Sequence, residues 1–397
     1  MTDTDGRPPT NWLRRQLASE TTGGGLLLLA VLVALVAANS RWSGWYLQFT
    51  HAELGPTWCH MSVTAWCADG LLSVFFFVVG LELRHELTLG ALSTRATAIA
   101  PIAAAVGGMV GAALIFVAIN ATSMHGELGG WTLPLSSDVA FSLAVLAVFG
   151  RTMPMHLRAV LLTIAVVNDL AAIIIIAVLY AGNVHLSWLV LAVVCVGVYA
   201  LSQRRRIRAW WWFVPLVLVA WYCCWRSGIS PTIIGVALGL CTRVRPDPGE
   251  RQSPVDRLSD RLHPWSAGIV VPLFAFTAVG IDVRGTSLGS ILSQPLALGI
   301  MLGFVIGQPL GVLCAAWVMH RLTGHQVAPV TDLLPIAMLC GIGLTVPLLL
   351  IQLRWADHAE LAATAKVAVL CAAVIAALAS ALLLTWRARS AHRVSAA

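Results

Sequence analysis

The chain has 397 residues, 58% hydrophobic and 11% charged, with a net charge of +7 and a mean hydropathy of +0.84. Soluble domains carry about 25% charged residues, so a set of soluble domains is excluded in favour of one all-α polytopic membrane domain. The positive balance is no nucleic-acid footprint, because the arginines sit in short loops between apolar stretches.

Residues 1–22 are polar and lack the apolar core of a cleavable signal peptide. Trp12, Leu13 and Leu17 with Arg14 and Arg15 predict a short interfacial helix there. A membrane span needs about 20 apolar residues, fewer if it is broken. Twelve stretches qualify, numbered here as segments 1 to 12: 23–39, 68–86, 97–119, 131–150, 157–180, 186–202, 210–224, 228–242, 264–281, 291–319, 331–351 and 361–386. Segments 7 and 8 are short and separated only by Arg226-Ser227-Gly228. One membrane domain is therefore expected over 23–386, with a cytoplasmic tail over 387–397.

One set of alternate loops and termini holds twenty arginines; the other holds Arg41, Arg226, Arg284 and Arg354. By the positive-inside rule both termini are cytoplasmic, as for a multi-pass cell-membrane protein. Merging segments 7 and 8 reverses the bias for everything after them. The single lysine, Lys366, falls near the start of segment 12. The nine cysteines show no metal-ligand spacing, and most lie singly in apolar stretches, as small buried hydrophobes do. Cys59 and Cys67 share one loop and can pair if that loop is external. Residues 40–66 are long enough for a hairpin but show no sheet-forming pattern.

Segment 4 reads WTLPLSSDVAFSLAVLAVFG, where Pro134, Ser136, Ser137 and Asp138 put a helix breaker, two hydroxyls and an acid within five residues. Segment 11 reads LLPIAMLCGIGLTVPLLLIQ, with Gly341, Gly343, Thr345 and Pro347 at a matching depth. Irregular backbone at membrane depth survives only if buried in protein or lining a watery cavity. Paired breaks in two halves of an apolar chain point to the binding site of an inverted-repeat transporter, with the copies near 97–180 and 291–386. Gly107 and Gly111 in segment 3, and Gly303, Gly307 and Gly311 in segment 10, have the spacing that lets helices pack closely. Each of these stretches immediately precedes a broken one.

Segment 5 carries Asn168-Asp169 near the middle of VLLTIAVVNDLAAIIIIAVL. An ionised acid at that depth is costly, which makes it a functional-site hypothesis, with packing against a neighbouring helix as the other reading. Among the acids only Asp138 and Asp169 fall well inside segments. An Asp in a helix break offsets the positive ends of half-helices, each about half an elementary charge. Ser136 and Ser137 can cap such an end or offer oxygen. Hard cations want oxygen ligands, and the candidates are Asp169, Asp138, Ser137 and Thr163, with sodium held at Asp169 and Asp138. A carboxylate that takes either a proton or a cation, never both, is a minimal exchanger. Glu82, beside Arg84 and His85 at a cytoplasmic edge, is either a cation entrance or a salt-bridged helix end. None of the histidines stands out as a pH sensor.

These residues resemble the NhaA-type sodium/proton antiporter family over about 22–389. The likeness runs through TGGGLLLLA and AANS, VFFFVVGLELRHEL, PLSSDVAFSLAVLAVFG, NDLAAIIII, LHPW with VPLFAF, GQPLG and LCGIGLT, in the family's order. It implies sodium or lithium efflux driven by protons, no cofactor and no enzymatic reaction. It also implies a cation site at an aspartate pair in segment 5 with an aspartate in the segment 4 break. Asp169 is the second member of that pair and Asp138 the break acid. The first member is Asn168 here, and the lysine of the family's GKPLG stretch is Gln308. Ser230-Pro231 stands where the family usually reads His-Ala. Losing one partner alone leaves a buried charge unpaired, which is strongly destabilising. Losing both exchanges an ion pair for an expected Asn168–Gln308 amide hydrogen bond at the same net charge. That predicts one proton per cation and electroneutral exchange.

Two other readings stay open: a sodium-coupled organic-anion carrier using the half-helix N-termini, and a transport-inactive sensor with a relic site. An intramembrane aspartyl protease lacks its usual Gly-x-Gly-Asp context. The expected partners are sodium or lithium ions, protons and the lipid bilayer, not nucleic acid, with a homodimer as a candidate assembly.

Overall fold

The computed structural model describes residues 20–395 other than 91, 151–152, 181–183, 208–209, 247–249, 251, 282–283, 285–287 and 324–327. The interfacial helix expected around Trp12 lies outside the described residues. All twelve apolar stretches contain helix. Among the described residues, eight helices are long and apolar enough to cross a membrane. Two bent pairs, Thr22–Ala38 with Ser43–His51 and Leu128–Leu135 with Val139–Phe149, bring the number to ten if each counts as one span. Segments 7 and 8, Trp210–Ser227 and Thr232–Cys241, stand outside that number. Polar-edged tryptophans lower the hydropathy of the first, and the second has ten residues. Both pack with segment 6 in a satellite core around Tyr199, Cys223, Cys224 and Ile234.

The outer surface is apolar. Leu32, Leu114, Val178 and Leu382 are each more than half exposed, a belt suited to hydrocarbon rather than water. Inside, segments 3 and 10 cross backbone to backbone. A Cβ on Gly311 would stand 2.0 Å from the Gly107 carbonyl oxygen, and one on Gly111 2.4 Å from that of Gly307. The glycine spacing thus does the work expected of it, letting two helices approach closer than side chains permit.

Segment 10 is less regular than its sequence predicts. A short helix Leu288–Leu292 stops before Pro295, and Pro295–Leu302 then passes through a π-helical turn, Gly303–Gly307, into Gln308–Thr323. π turns also interrupt segment 2 at Trp66–Leu71 and segment 9 at Ser266–Val270. Such turns reset the phase of the side chains that follow and concentrate at functional sites.

Four expectations change. Segment 9 begins ten residues earlier, with helix Pro254–Trp265. Ser253 caps it, its Oγ accepting the Asp256 N–H at 3.2 Å, with Pro254 in the first turn. Its charged face hides it from a hydropathy reading. Segment 12 is one helix, Ala359–Ser395, so the tail expected at 387–397 is helical as far as Ser395. No Gly or Pro stops it, and Arg387 Nε donates to Asp332 Oδ1 at 2.5 Å. Between segments 1 and 2, helix Ser43–His51 is followed by a two-stranded hairpin that pairs Glu53 with Ser62 and Leu54 with Met61. Gly55, at φ +119°, makes its turn; strands of two residues carry no readable alternation. Cys59 and Cys67 are both free thiols, so the pairing considered for them is not formed.

Candidate cation site

The breaks of segments 4 and 11 meet. Segment 4 is not a pair of α-half-helices as expected. Its first part is two 3-10 turns, Leu128–Gly130 and Leu133–Leu135, followed by extended backbone and helix Val139–Phe149. Gly129-Gly130 and Pro134 forbid a regular α-helix there. Segment 11 is helix Val330–Cys340, an irregular stretch over 341–344, and helix Thr345–Arg354. Its window is 94% buried, so its loose backbone lies inside protein. Gly343 lets the breaks touch, since a Cβ there would lie 2.4 Å from the Ser136 carbonyl oxygen.

Asp138 ties them together. Its N–H donates to the Ile342 carbonyl at 2.6 Å. Its Oδ1 accepts from the Phe141 N–H at 3.1 Å, capping helix Val139–Phe149, and its Oδ2 accepts from Thr345 Oγ1 at 2.7 Å. One carboxylate therefore offsets a helix N-terminus and braces the opposite break. One turn on, Ser142 Oγ donates to the Leu339 carbonyl at 2.8 Å.

Asp169 approaches from segment 5, helix Met155–Leu179, and is 3% exposed. Ser136 Oγ donates to its Oδ1 at 3.2 Å. Among the described residues neither Asp138 nor Asp169 has an ion-pair partner. Both line a cavity of about 340 Å³, together with Ser137 and Thr345. Toward its mouth the wall carries Glu82, His85, Glu86, Asp256, Asp260 and His263. Of these, Asp256 and Asp260 escaped the sequence reading; the Ser253-Pro254 cap was the signal that could have placed them on a helix. Asp256 Oδ1 pairs with His85 Nδ1 at 2.9 Å.

Thr163 is not brought to the cavity. Its hydroxyl donates to the Ala159 carbonyl of its own helix at 2.8 Å, whereas Leu162, Val166 and Asp169, at i, i+4 and i+7, form the cavity-facing stripe. The expected Asn168–Gln308 hydrogen bond is not formed either. Asn168 Nδ2 donates to Ser137 Oγ at 3.3 Å. Gln308 Nε2, just past the π turn, donates to the carbonyls of Pro134 at 3.2 Å and Leu135 at 2.9 Å. Those carbonyls are freed by the break and, being buried, need a donor, which Gln308 supplies. Both amides are fully buried, and their oxygens, Asn168 Oδ1 and Gln308 Oε1, have no donor among the described residues.

A helical bundle with an apolar outer surface is a polytopic membrane protein, and the two buried carboxylates and two hydroxyls lining its cavity are oxygen donors of the kind a hard cation takes. The chain belongs to the Na+/H+ antiporter 1 family, whose profile matches residues 14–384. It is 43% identical over 395 residues to Na(+)/H(+) antiporter NhaA 2 of Rhodococcus jostii (strain RHA1), covering 97% of this chain and 95% of that one. It is 44% identical over 386 residues to Na(+)/H(+) antiporter NhaA of Nocardia farcinica (strain IFM 10152), covering 95% and 91%. A further NhaA antiporter, of Mycolicibacterium smegmatis (strain ATCC 700084 / mc(2)155), is 44% identical over 378 residues, covering 94% and 87%.

Proposed function

We propose that this chain exchanges cytoplasmic sodium or lithium for external protons, one for one, across the cell membrane. The observation that carries this is the pairing of Asp169 and Asp138 at the end of one cavity with no cationic partner among the described residues. Asp169 takes a proton or a sodium ion. Asp138, Ser137 and the Thr345 hydroxyl complete an oxygen shell. Asn168 and Gln308 are neutral and hold the break through amide N–H groups, so no second charged pair titrates with each cycle. The net charge moved per turn is then zero.

In this reading segments 1 to 12 all cross the bilayer, and 97–180 and 291–386 are inverted repeats whose breaks cross at the midplane. Both termini are cytoplasmic, following the arginine bias of twenty to four. The cavity with Glu82 at its wall opens to the cytoplasm, and the hairpin at 53–62 offers an open strand edge that a second copy can extend into a homodimer.

The test uses purified protein in proteoliposomes. Sodium-dependent collapse of a pH gradient is expected at the same rate with and without a potassium/valinomycin potential. Acceleration or reversal by that potential refutes the one-to-one stoichiometry, and absence of any exchange refutes the antiport itself.

A further inference from the structure

A second cavity, of about 900 Å³, opens at the other end of the molecule. The helices fix its place. The cation cavity takes residues from the end of segment 2 and the start of segment 9, whereas this one takes the start of segment 2 (Thr64, Ala65) and the end of segment 9 (Thr277, Gly280). It holds no residue of the cation site.

Its wall carries Lys366, the only lysine in a chain with 24 arginines. Lys366 lies two turns into helix Ala359–Ser395, is partly buried, and has no ion-pair partner among the described residues. Glu360 lines the same cavity but is exposed at its rim, as is His51. Gln352 lines the cavity as well, and its buried Nε2 has no acceptor among the described residues. Gln294, also in the wall, is engaged through its oxygen, Oε1 accepting from Thr364 Oγ1 at 3.2 Å. The Tyr46 hydroxyl is spent on the Phe276 carbonyl at 2.5 Å.

An ammonium without an ion-pair partner among the described residues, with an orphan amide N–H on a residue of the same wall, is complementary to negative charge. One ammonium balances one unit of charge, and Glu360 at the rim disfavours a dianion. We propose that this vestibule binds a small monovalent anion, a halide or a small carboxylate, between the Lys366 ammonium and the Gln352 amide. The anion is a resident of the mouth rather than cargo. While bound it cancels the positive charge that a sodium ion meets when passing that end.

The experiment is chloride-35 NMR line broadening by the purified full-length protein in detergent, with gluconate as the background anion. The wild type is expected to broaden the line saturably, and acetate to displace chloride. Lys366→Met is expected to weaken binding about tenfold or more, the scale of a lost charge-assisted hydrogen bond, and Lys366→Arg to retain it. Broadening that does not saturate, or is equal in wild type and Lys366→Met, overturns the proposal; chloride that acetate fails to displace overturns its carboxylate half. Should Lys366→Met lose its monodisperse gel-filtration peak, Gln352→Leu decides instead, with unchanged chloride affinity as the overturning result. Because binding is read without transport, a failure of the antiport reading leaves this outcome distinguishable.

Discussion

At the level of single residues, the site separates two jobs that carboxylates do. Asp138 has both oxygens committed, to a helix N-terminus and to Thr345, and acts first as a brace. Asp169 receives one hydroxyl donor, and in the proposed cycle the rest of its capacity goes to a proton or a cation. Asp169→Asn is therefore expected to abolish sodium/proton exchange in proteoliposomes while leaving the gel-filtration profile intact; near-normal exchange would remove it from the site. Asn168→Asp alone places an unpaired acid where exposure is zero, at a cost of about 3–5 kcal/mol, read as a lowered thermal midpoint. Adding Gln308→Lys is expected to recover much of that stability and to make exchange respond to an imposed potential. The identities of Asp138, Asp169, Asn168 and Gln308 were legible, because polar residues in apolar stretches announce themselves. Their partners were not. Gln308 turns to the Pro134 and Leu135 carbonyls because the first part of segment 4 is a pair of 3-10 turns, which spacing alone does not reveal.

Among the elements, the crossing depends on backbone meeting backbone. Gly343→Ala puts a methyl 2.4 Å from the Ser136 carbonyl oxygen, next to the group that donates to Asp169. We expect a loss of about 1–3 kcal/mol from overpacking, seen in thermal unfolding, and a larger fall in exchange than stability alone explains. Thr345→Val removes a buried donor from Asp138 and should raise the sodium KM in proteoliposomes, whereas Thr345→Ser keeps the hydroxyl and should not. The breaks themselves could be read from Pro134, Gly341 and Gly343, and the tight helix pair from Gly107 and Gly311. Helix Pro254–Trp265 could not be found by hydropathy, because one of its faces is charged and serves the cavity wall rather than lipid.

For the molecule as a whole, the two cavities differ in charge. The cation cavity is rimmed by Glu82, Glu86, Asp256 and Asp260, whereas the opposite one sets the only lysine against Glu360. An acidic mouth concentrates cations, and the effect fades with salt. Asp260→Asn is thus expected to raise the sodium KM at low ionic strength, with the difference from wild type shrinking as choline chloride is added. Competition at Asp169 has a definite sign as well. Lowering the pH on the sodium side fills the carboxylate with protons, so the apparent sodium KM should rise while the maximal rate at saturating sodium is preserved. A pH-independent KM would rule out a shared site. Membrane class was legible from hydropathy. The asymmetry of the cavities was not, since it depends on which side chains the bundle turns inward.

Under the proposed one-for-one exchange, the uncharged Asn168 and Gln308 also bound what the protein can accomplish for a cell. A carrier that moves no net charge draws nothing from the membrane voltage. The sodium ratio it sustains across the membrane can equal, but never exceed, the ratio of proton concentrations. In surroundings more acidic than the cytoplasm it empties the cell of sodium. Where the medium is the more alkaline side, the same cycle runs backward and loads the cell with the ion it otherwise expels. Two buried amides would then confine its protective value to neutral and acidic habitats, and leave alkaline ones to a partner that spends voltage.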